Sequence, residues 1–324
     1  MIATPMPSFS IVIPTFQRRD AVCEAVRALG KLHYDGQVEV IVVVDGSTDR
    51  TEAALQAIDC PFPKTILSQD NKGAAAARNR GAAEATGEII LFLDDDMLCE
   101  SDTLEQHARM YKDGADAVIG DFPIDPGSPQ GFLTDWIAEK AHWDREGTAL
   151  TPFEIFTGHL SVRRAVFEDL GGFDESFTAG GHYGNEDIDF GARLLERYQV
   201  RHNPQAITRQ RSTVSPRQFM RRARSLARND LRFAAKHPKL ARELFARRGA
   251  GRTSRRLRLL SRIPLMPATL GAVSLFAAEI GLKTRFRSSR KLSYLIHGAW
   301  LAAYWSEVRA GGRPDSDASG AADL

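Results

Sequence analysis

Three cysteines, Cys23, Cys60 and Cys99, are odd in number and follow no metal-ligand spacing. They argue against a disulfide framework or a zinc site and for a reducing compartment. The first ten residues carry no basic flank followed by a long apolar core, so no signal peptide is expected. No G-x-G-x-x-G follows the first apolar run, which argues against a nicotinamide-dependent dehydrogenase. Internal repeats are absent. Long apolar runs are scarce as well: the uncharged stretch Ile263 to Ala278 has 16 residues and contains Pro264 and Pro267, whereas a bilayer span takes about 20.

What remains is the composition of an ordinary folded protein, 43% apolar and 26% charged over 324 residues. The formal charge of +2 hides an asymmetry. Between Arg209 and Arg262 stand 18 Lys and Arg against two acids, Asp230 and Glu243. An acidic body is therefore joined to a basic segment that should seek anionic partners.

Ser8 to Pro14 reads as a buried strand, followed by a helix in which Val22, Ala25, Val26 and Leu29 recur at helical spacing and Asp20 is placed to cap. The β-branched run Val38 to Val44 has the pattern of a strand covered on both faces. A helix from about Thr51, a weaker strand at Thr65 to Leu67, and a small-residue helix at Gly73 to Ala85 come next. A strand from Glu88 to Leu93 then ends in three acids. Asp102 and Glu105 suggest a capping box for a helix through Tyr111, and Ala117 to Ile119 opens a fifth strand. Such alternation predicts an α/β fold with a doubly wound, mostly parallel sheet. Ligands of such sheets sit beyond the carboxyl ends of the strands, which directs attention to Pro14-Thr15, Asp45-Gly46-Ser47 and Asp94-Asp95-Asp96. Beyond Asp121 the pattern predicts a helix over Phe132 to Trp143 presenting Leu133, Trp136 and Ile137, and a strand at Gly158 to Arg163. A glycine-rich loop over Phe173 to Asn185 and a helix over Glu186 to Tyr198 follow.

Three consecutive acids at the end of a buried strand repel one another unless a cation or water relieves them. In an extended segment Asp94 and Asp96 share one side and Asp95 faces away, an arrangement suited to a divalent cation shared with a diphosphate; the alternative is a solvated acidic turn. Asp45 suits a nucleobase or ribose contact and Gly46 a close approach of backbone to ligand, or else the segment is an Asx-turn in which Asp49 or Thr51 caps the next helix. Glu186-Asp187 either complements a helix dipole or supplies a general base beneath a closing loop. His182, in that loop, reads more simply as a surface histidine than as a group at the metal or acceptor.

The order of these motifs resembles that of the family 2 glycosyltransferases, whose fold is the GT-A nucleotide-sugar-binding fold. The resemblance rests on Ser10 to Phe16, Val44-Asp45-Gly46-Ser47-Thr48-Asp49, and Lys72-Gly73 with Ala77-Arg78-Asn79 and Gly81. It continues through Phe92 to Asp96, Thr157-Gly158 to Arg164, Gly171 to Asp174 and Glu186-Asp187, covering roughly residues 8 to 200. It implies donor contacts at Pro14, Thr15, Asp45, Gly46, Lys72, Gly73, Arg78, Asp94 and Asp95, with Mn or Mg held by Asp96 and Asp94. Asp187 would be the base that deprotonates the acceptor hydroxyl, with Glu186 beside it, and the anomeric centre would invert by direct displacement. The donor would be a UDP-, dTDP- or GDP-sugar and the acceptor a glycan, lipid-linked glycan or small molecule. Gln17 stands where the family usually has Asn, Arg50 where Gly is common, and His159 where Asn is common.

The expected organisation is a glycosyltransferase domain over residues 1–215, a basic and apolar helical extension over 216–310, and a disordered tail over 311–324. Arginines flanking apolar stretches with Trp300, Tyr304 and Trp305 suit peripheral contact with an anionic membrane on its cytoplasmic face. Packing of those stretches on the protein is the reading ranked first, and nucleic acid ranks well below both. A nucleotidyltransferase normally carries a glycine-rich basic loop after its first strand, where Pro14-Thr15-Phe16-Gln17 stands here. A non-catalytic nucleotide-sugar or glycan-binding protein would have no need of Asp45, Asp96 and Asp187 together.

Overall fold

The structure, a computed structural model, describes residues 6–141, 150–211, 214–249, 266–282, 284 and 289–311. Strands β1 (Phe9–Thr15), β2 (Val38–Asp45), β3 (Lys64–Gln69) and β4 (Ile89–Leu93) form the parallel part of an eight-stranded sheet in the order β3-β2-β1-β4. β5 (Met97–Cys99), β6 (Ala117–Asp121), β7 (His159–Arg163) and β8 (Val200–Gln210) complete it as β4-β7-β6-β8-β5. β7 runs antiparallel to both β4 and β6, so the sheet is mixed beyond β4.

Alternate residues of the first strands enter opposite apolar layers, as the pleat requires. Ile11, Ile13, Val40, Val42 and Leu91 pack with helices α1 (Arg19–Ala28), α2 (Thr51–Gln56) and α4 (Thr103–Lys112) through Val22, Val26, Leu55 and Leu104. Val12, Ile41, Val43, Ile90 and Phe92 pack on the other face with α3 (Ala74–Ala83), α6 (Arg164–Asp169) and α7 (Glu186–Leu195). Each of these fully buried side chains contributes roughly 1.5–3 kcal/mol, which explains why Ile11–Ile13 of β1 and Val40–Val44 of β2 are uninterruptedly apolar. β3 lies at the edge and is half-exposed, the reason its sequence signal is weak.

Some local expectations require correction. Asp20 lies inside the first turn of α1 and pairs with Arg19 rather than capping the helix. Asp102 does occupy the N-cap of α4, but no capping box forms: its carboxylate accepts from Gln106, and Glu105 pairs with Arg109. β5 and β8 had no sequence counterpart. β8 is polar and interrupted by Pro204, and its register against β6 shifts at Gly120/Asp121.

Helix α5 (Phe132–Ala141) forms where expected and buries Leu133; the side chains of Trp136 and Ile137 lie outside the described residues, as does the tail from residue 312. The helical extension comprises α8 (Pro216–Lys236), α9 (Pro238–Gly249), α10 (Met266–Leu282) and α11 (Arg290–Arg309). α8 opens with a capping box: Ser215 accepts from the Gln218 amide, and the Gln218 side chain accepts from the Ser215 amide. Trp300, Tyr304 and Trp305 are buried against Phe219, Leu226 and Phe132. They build an internal core, which removes them as interfacial anchors.

Candidate active site

The strand order places the neighbours of β1 on opposite sides, β2 on one and β4 on the other, so a crevice opens beyond their carboxyl ends. A cavity of about 520 Å³ occupies it, bounded by the residues after β1, the acids after β4, the start of α7 and one face of α8. The chain turns directly after Leu93, with the Met97 amide bonded to the Asp94 carbonyl. The alternation expected of an extended segment therefore does not apply. Asp95 and Asp96 both face Arg18, whose Nη2 lies 2.9 Å from Asp96 Oδ2, while Thr15 Oγ1 donates to Asp95 Oδ2 at 2.8 Å. Asp94 turns to Arg78, which donates to Asp94 Oδ1 at 2.6 Å and to Glu186 Oε1 at 2.9 Å. That one buried guanidinium ties the acidic turn to the N-terminus of α7, and Asp187 then faces the same cavity.

Comparison with known proteins bears on the family and the fold. The model of glycosyl transferase family 2 matches residues 10–171, and that of the N-terminal domain of galactosyltransferase matches residues 142–214. The chain belongs to glycosyl transferase family 2. Validoxylamine A glucosyltransferase of Streptomyces hygroscopicus subsp. limoneus is 30% identical over 278 residues, covering 74% of this chain and 59% of the relative. The chain spans about three-fifths of the length of the curated relatives it matches. Two solved structures share its GT-A fold. Mannosyltransferase PcManGT from Pyrobaculum calidifontis, in complex with GDP-Man and Mn2+, has a TM-score of 0.58 at 21% identity, covering 94% of this chain and 89% of that one. S. aureus TarS 1-349 in complex with UDP has a TM-score of 0.57 at 20% identity, covering 94% and 91%.

Of the residues singled out in the sequence, Pro14, Thr15, Asp45, Arg78, Asp94, Asp95, Asp96, Glu186 and Asp187 line the cavity. Gly46, Lys72 and Gly73 are not among its lining residues and act on its walls instead. Both Asp45 oxygens accept from the following loop, Oδ1 from the Lys72 amide at 2.9 Å and Oδ2 from the Gly73 amide at 2.8 Å. Gly73 has φ +94, and a Cβ there would lie 2.2 Å from the Thr178 carbonyl oxygen. Its lack of a side chain lets α3 dock on the segment that carries the glycine-rich loop. Asp49 accepts from the Thr51 amide, the Asx-turn considered for this segment.

The reading of the sequence missed Arg18, Gln218 and Arg222, all of which line the cavity. Arg18 had a signal, a cation just after the strand whose end must meet the acids. Gln218 and Arg222 had none, since nothing in the sequence shows that α8 returns to the crevice. His182 also lines the cavity, against the simpler surface reading. His159 does not: it is buried, its Nε2 lies 3.0 Å from His107 Nε2, and burial pushes it down to about 4.

Six carboxylates line this cavity beside Arg18, Arg78 and Arg222, leaving the cleft short of positive charge. Burial pushes Asp95 up to about 7 despite the pull of Arg18, and raises Asp96 for the same reason. Asp187 is also pushed up to about 7, by burial and then by the neighbouring Glu186 charge. The residues fit a divalent cation. Asp96 Oδ1 is buried without a hydrogen-bond partner among the described residues, a costly state that a cation relieves. Among the described residues no group of three or more His, Cys, Asp or Glu could hold a metal alone. A cation held there would need further ligands from a bound molecule or water.

Proposed function

We propose that this glycosyltransferase moves a sugar from a nucleoside-diphosphate donor to a hydroxyl acceptor with inversion by direct displacement. The observation that carries the proposal is the sharing of one cleft by Asp187 and the Asp94–Asp96 turn. The GDP-Man with Mn2+ in PcManGT and the UDP in TarS support a nucleotide-sugar donor and a divalent metal.

Asp96 and Asp94 would hold Mg or Mn, which when bound offsets the charge that builds on the departing diphosphate. Pro14 and Thr15 wall the nucleotide side. Asp45 fixes the Lys72-Gly73 loop beside the base and ribose. Arg78 holds Glu186 in an ion pair, so Glu186 serves as a positioning group. Asp187, which has no salt bridge among the described residues, accepts the proton of the acceptor hydroxyl. Its raised pKa keeps it basic enough to do so near neutrality. Only one base is needed, because a single displacement inverts the anomeric centre.

Release of nucleoside diphosphate from a panel of UDP-, dTDP- and GDP-sugars tests this, run with manganese, magnesium and chelator. Turnover of one donor that requires metal and disappears in Asp96→Ala is the expected result. Binding of no donor by the wild type, in a parallel thermal-shift assay with metal, would overturn the donor site.

A further inference from the structure

Helix α10 is turned inside out for a helix on a water-soluble surface. Towards the protein it presents Ser274 and Gly281, which meet Leu295 and Leu292 of α11, with buried Ala278 between them, and Gly271, which meets Met220 of α8. Towards the outside it presents Val273, Phe276 and Ile280, at 61%, 68% and 49% exposure, on one helical face. Tyr294 of α11 is 73% exposed. Packing demands alone would let polar residues stand at these outer positions, so large apolar ones imply an apolar partner.

A groove of about 650 Å³ runs between α10 and α8. Arg217, Arg221 and Arg224 line its α8 side, and Leu275 and Phe276 its α10 side. These arginines recur at spacings of four and three, which aligns them along one face of α8. Glu279 supplies an acid at the groove and is already paired with Arg217 at 2.6 Å. Thus an apolar ridge lies beside an arginine row, within the segment of the chain richest in Lys and Arg.

We propose that the α8–α10 face is a peripheral docking surface for an anionic phospholipid bilayer, with α10 lying in the interfacial plane. Its large side chains enter the acyl boundary while the arginines meet lipid phosphates. No described helix is long and apolar enough to cross a membrane, so the contact is one of lying on the surface. A second copy of the chain fits this face less well, because a two-fold interface would set each arginine row against the other row or against the apolar ridge, with no groove anion but the paired Glu279 to meet it. Nucleic acid fits less well too, because the ridge is largely aliphatic and offers few rings for base stacking.

The test uses the whole chain and sedimentation with vesicles of phosphatidylglycerol or of phosphatidylcholine. Binding to the phosphatidylglycerol vesicles is expected to be at least about tenfold tighter and to weaken in about 0.5 M salt. A Val273→Ser/Phe276→Ser/Ile280→Ser variant and, separately, an Arg221→Glu/Arg224→Glu variant should both lose most of that binding. Both should retain the wild-type melting transition and donor hydrolysis in the absence of vesicles. Equal sedimentation of wild type and the triple variant would overturn the proposal. So would failure of the wild type to bind any vesicle, or a dimer by light scattering that the triple variant abolishes.

Discussion

At Asp187 a carboxylate sits where burial and the adjacent Glu186 charge both favour its protonated form. A base must be ionised to act, so kcat/KM is expected to rise with pH and level off above about 7, the region of its raised pKa. Asp187→Asn should lower kcat by about 10²- to 10⁴-fold and remove that inflection, with donor affinity retained in calorimetry. Asp95 makes the same physics visible in stability. Its folded pKa of about 7 lies above the ordinary carboxylate value. The folded state therefore binds more protons than the unfolded chain between these limits, and stability falls as pH rises through them. Without divalent metal, the melting temperature should drop between about pH 4 and pH 7 and level off above that, and Asp95→Asn should flatten the drop. A drop that is unchanged in the variant would assign the effect to another group. Arg78 is a residue whose weight only the packed structure shows. Its loss would leave Asp94 and buried Glu186 without their shared cation, so Arg78→Met should destabilise by about 3–5 kcal/mol in chemical denaturation.

Among the elements, the start of α2 carries a local conflict. Arg50 is its N-cap with φ +63, and Gln17 stands at φ +52. Both are sites where the sequence departs from the residue its family commonly uses, and both are left-handed positions that disfavour a side chain. Gln17 is held there by Ser47 and Thr48. Arg50→Gly should therefore stabilise the protein by about 1 kcal/mol, relieving a left-handed strain of about 1–2 kcal/mol less the greater freedom of glycine in the unfolded chain. An unchanged or lower unfolding midpoint would contradict this. Helix α8 carries a different duty. Asn229 donates to the carbonyls of Phe177, Tyr183 and Gly184, and Asp230 accepts from Asn185, Arg248 and Tyr304. The glycine-rich loop beside the cleft is thus fastened from the extension. Asn229→Ala should raise KM for the acceptor more than it lowers kcat, since it frees the loop while leaving Asp187 in place.

For the whole molecule this means that residues 1–215 and the extension share cores. Phe132 and Leu133 pack with Phe219 and Trp300, and Phe177 and Ile188 pack with Phe233 and Leu244. Deleting residues 216–324 would strip those partners and remove Gln218 and Arg222 from the cleft. The truncated protein should lack a cooperative thermal transition and metal-dependent donor binding.

The amino-acid sequence alone determined the layered α/β architecture, because strands covered on both faces must be continuously apolar, as at Ile11 to Ile13 and Val40 to Val44. It also determined the acids at the strand ends, since a charged turn after a buried strand such as Ile89–Leu93 has few places to go. It did not show β8, whose polar residues are held by backbone pairing and carry no periodicity. Nor did it show the partners Arg18 and Arg78 take. Pairings across 77 and 108 positions depend on where separate elements end in space. The fate of Trp300, Tyr304 and Trp305 was likewise tertiary. An apolar helix reads the same whether it faces lipid or protein, and only the packing of α11 on α8 turned these rings inward and left the apolar face of α10 outside.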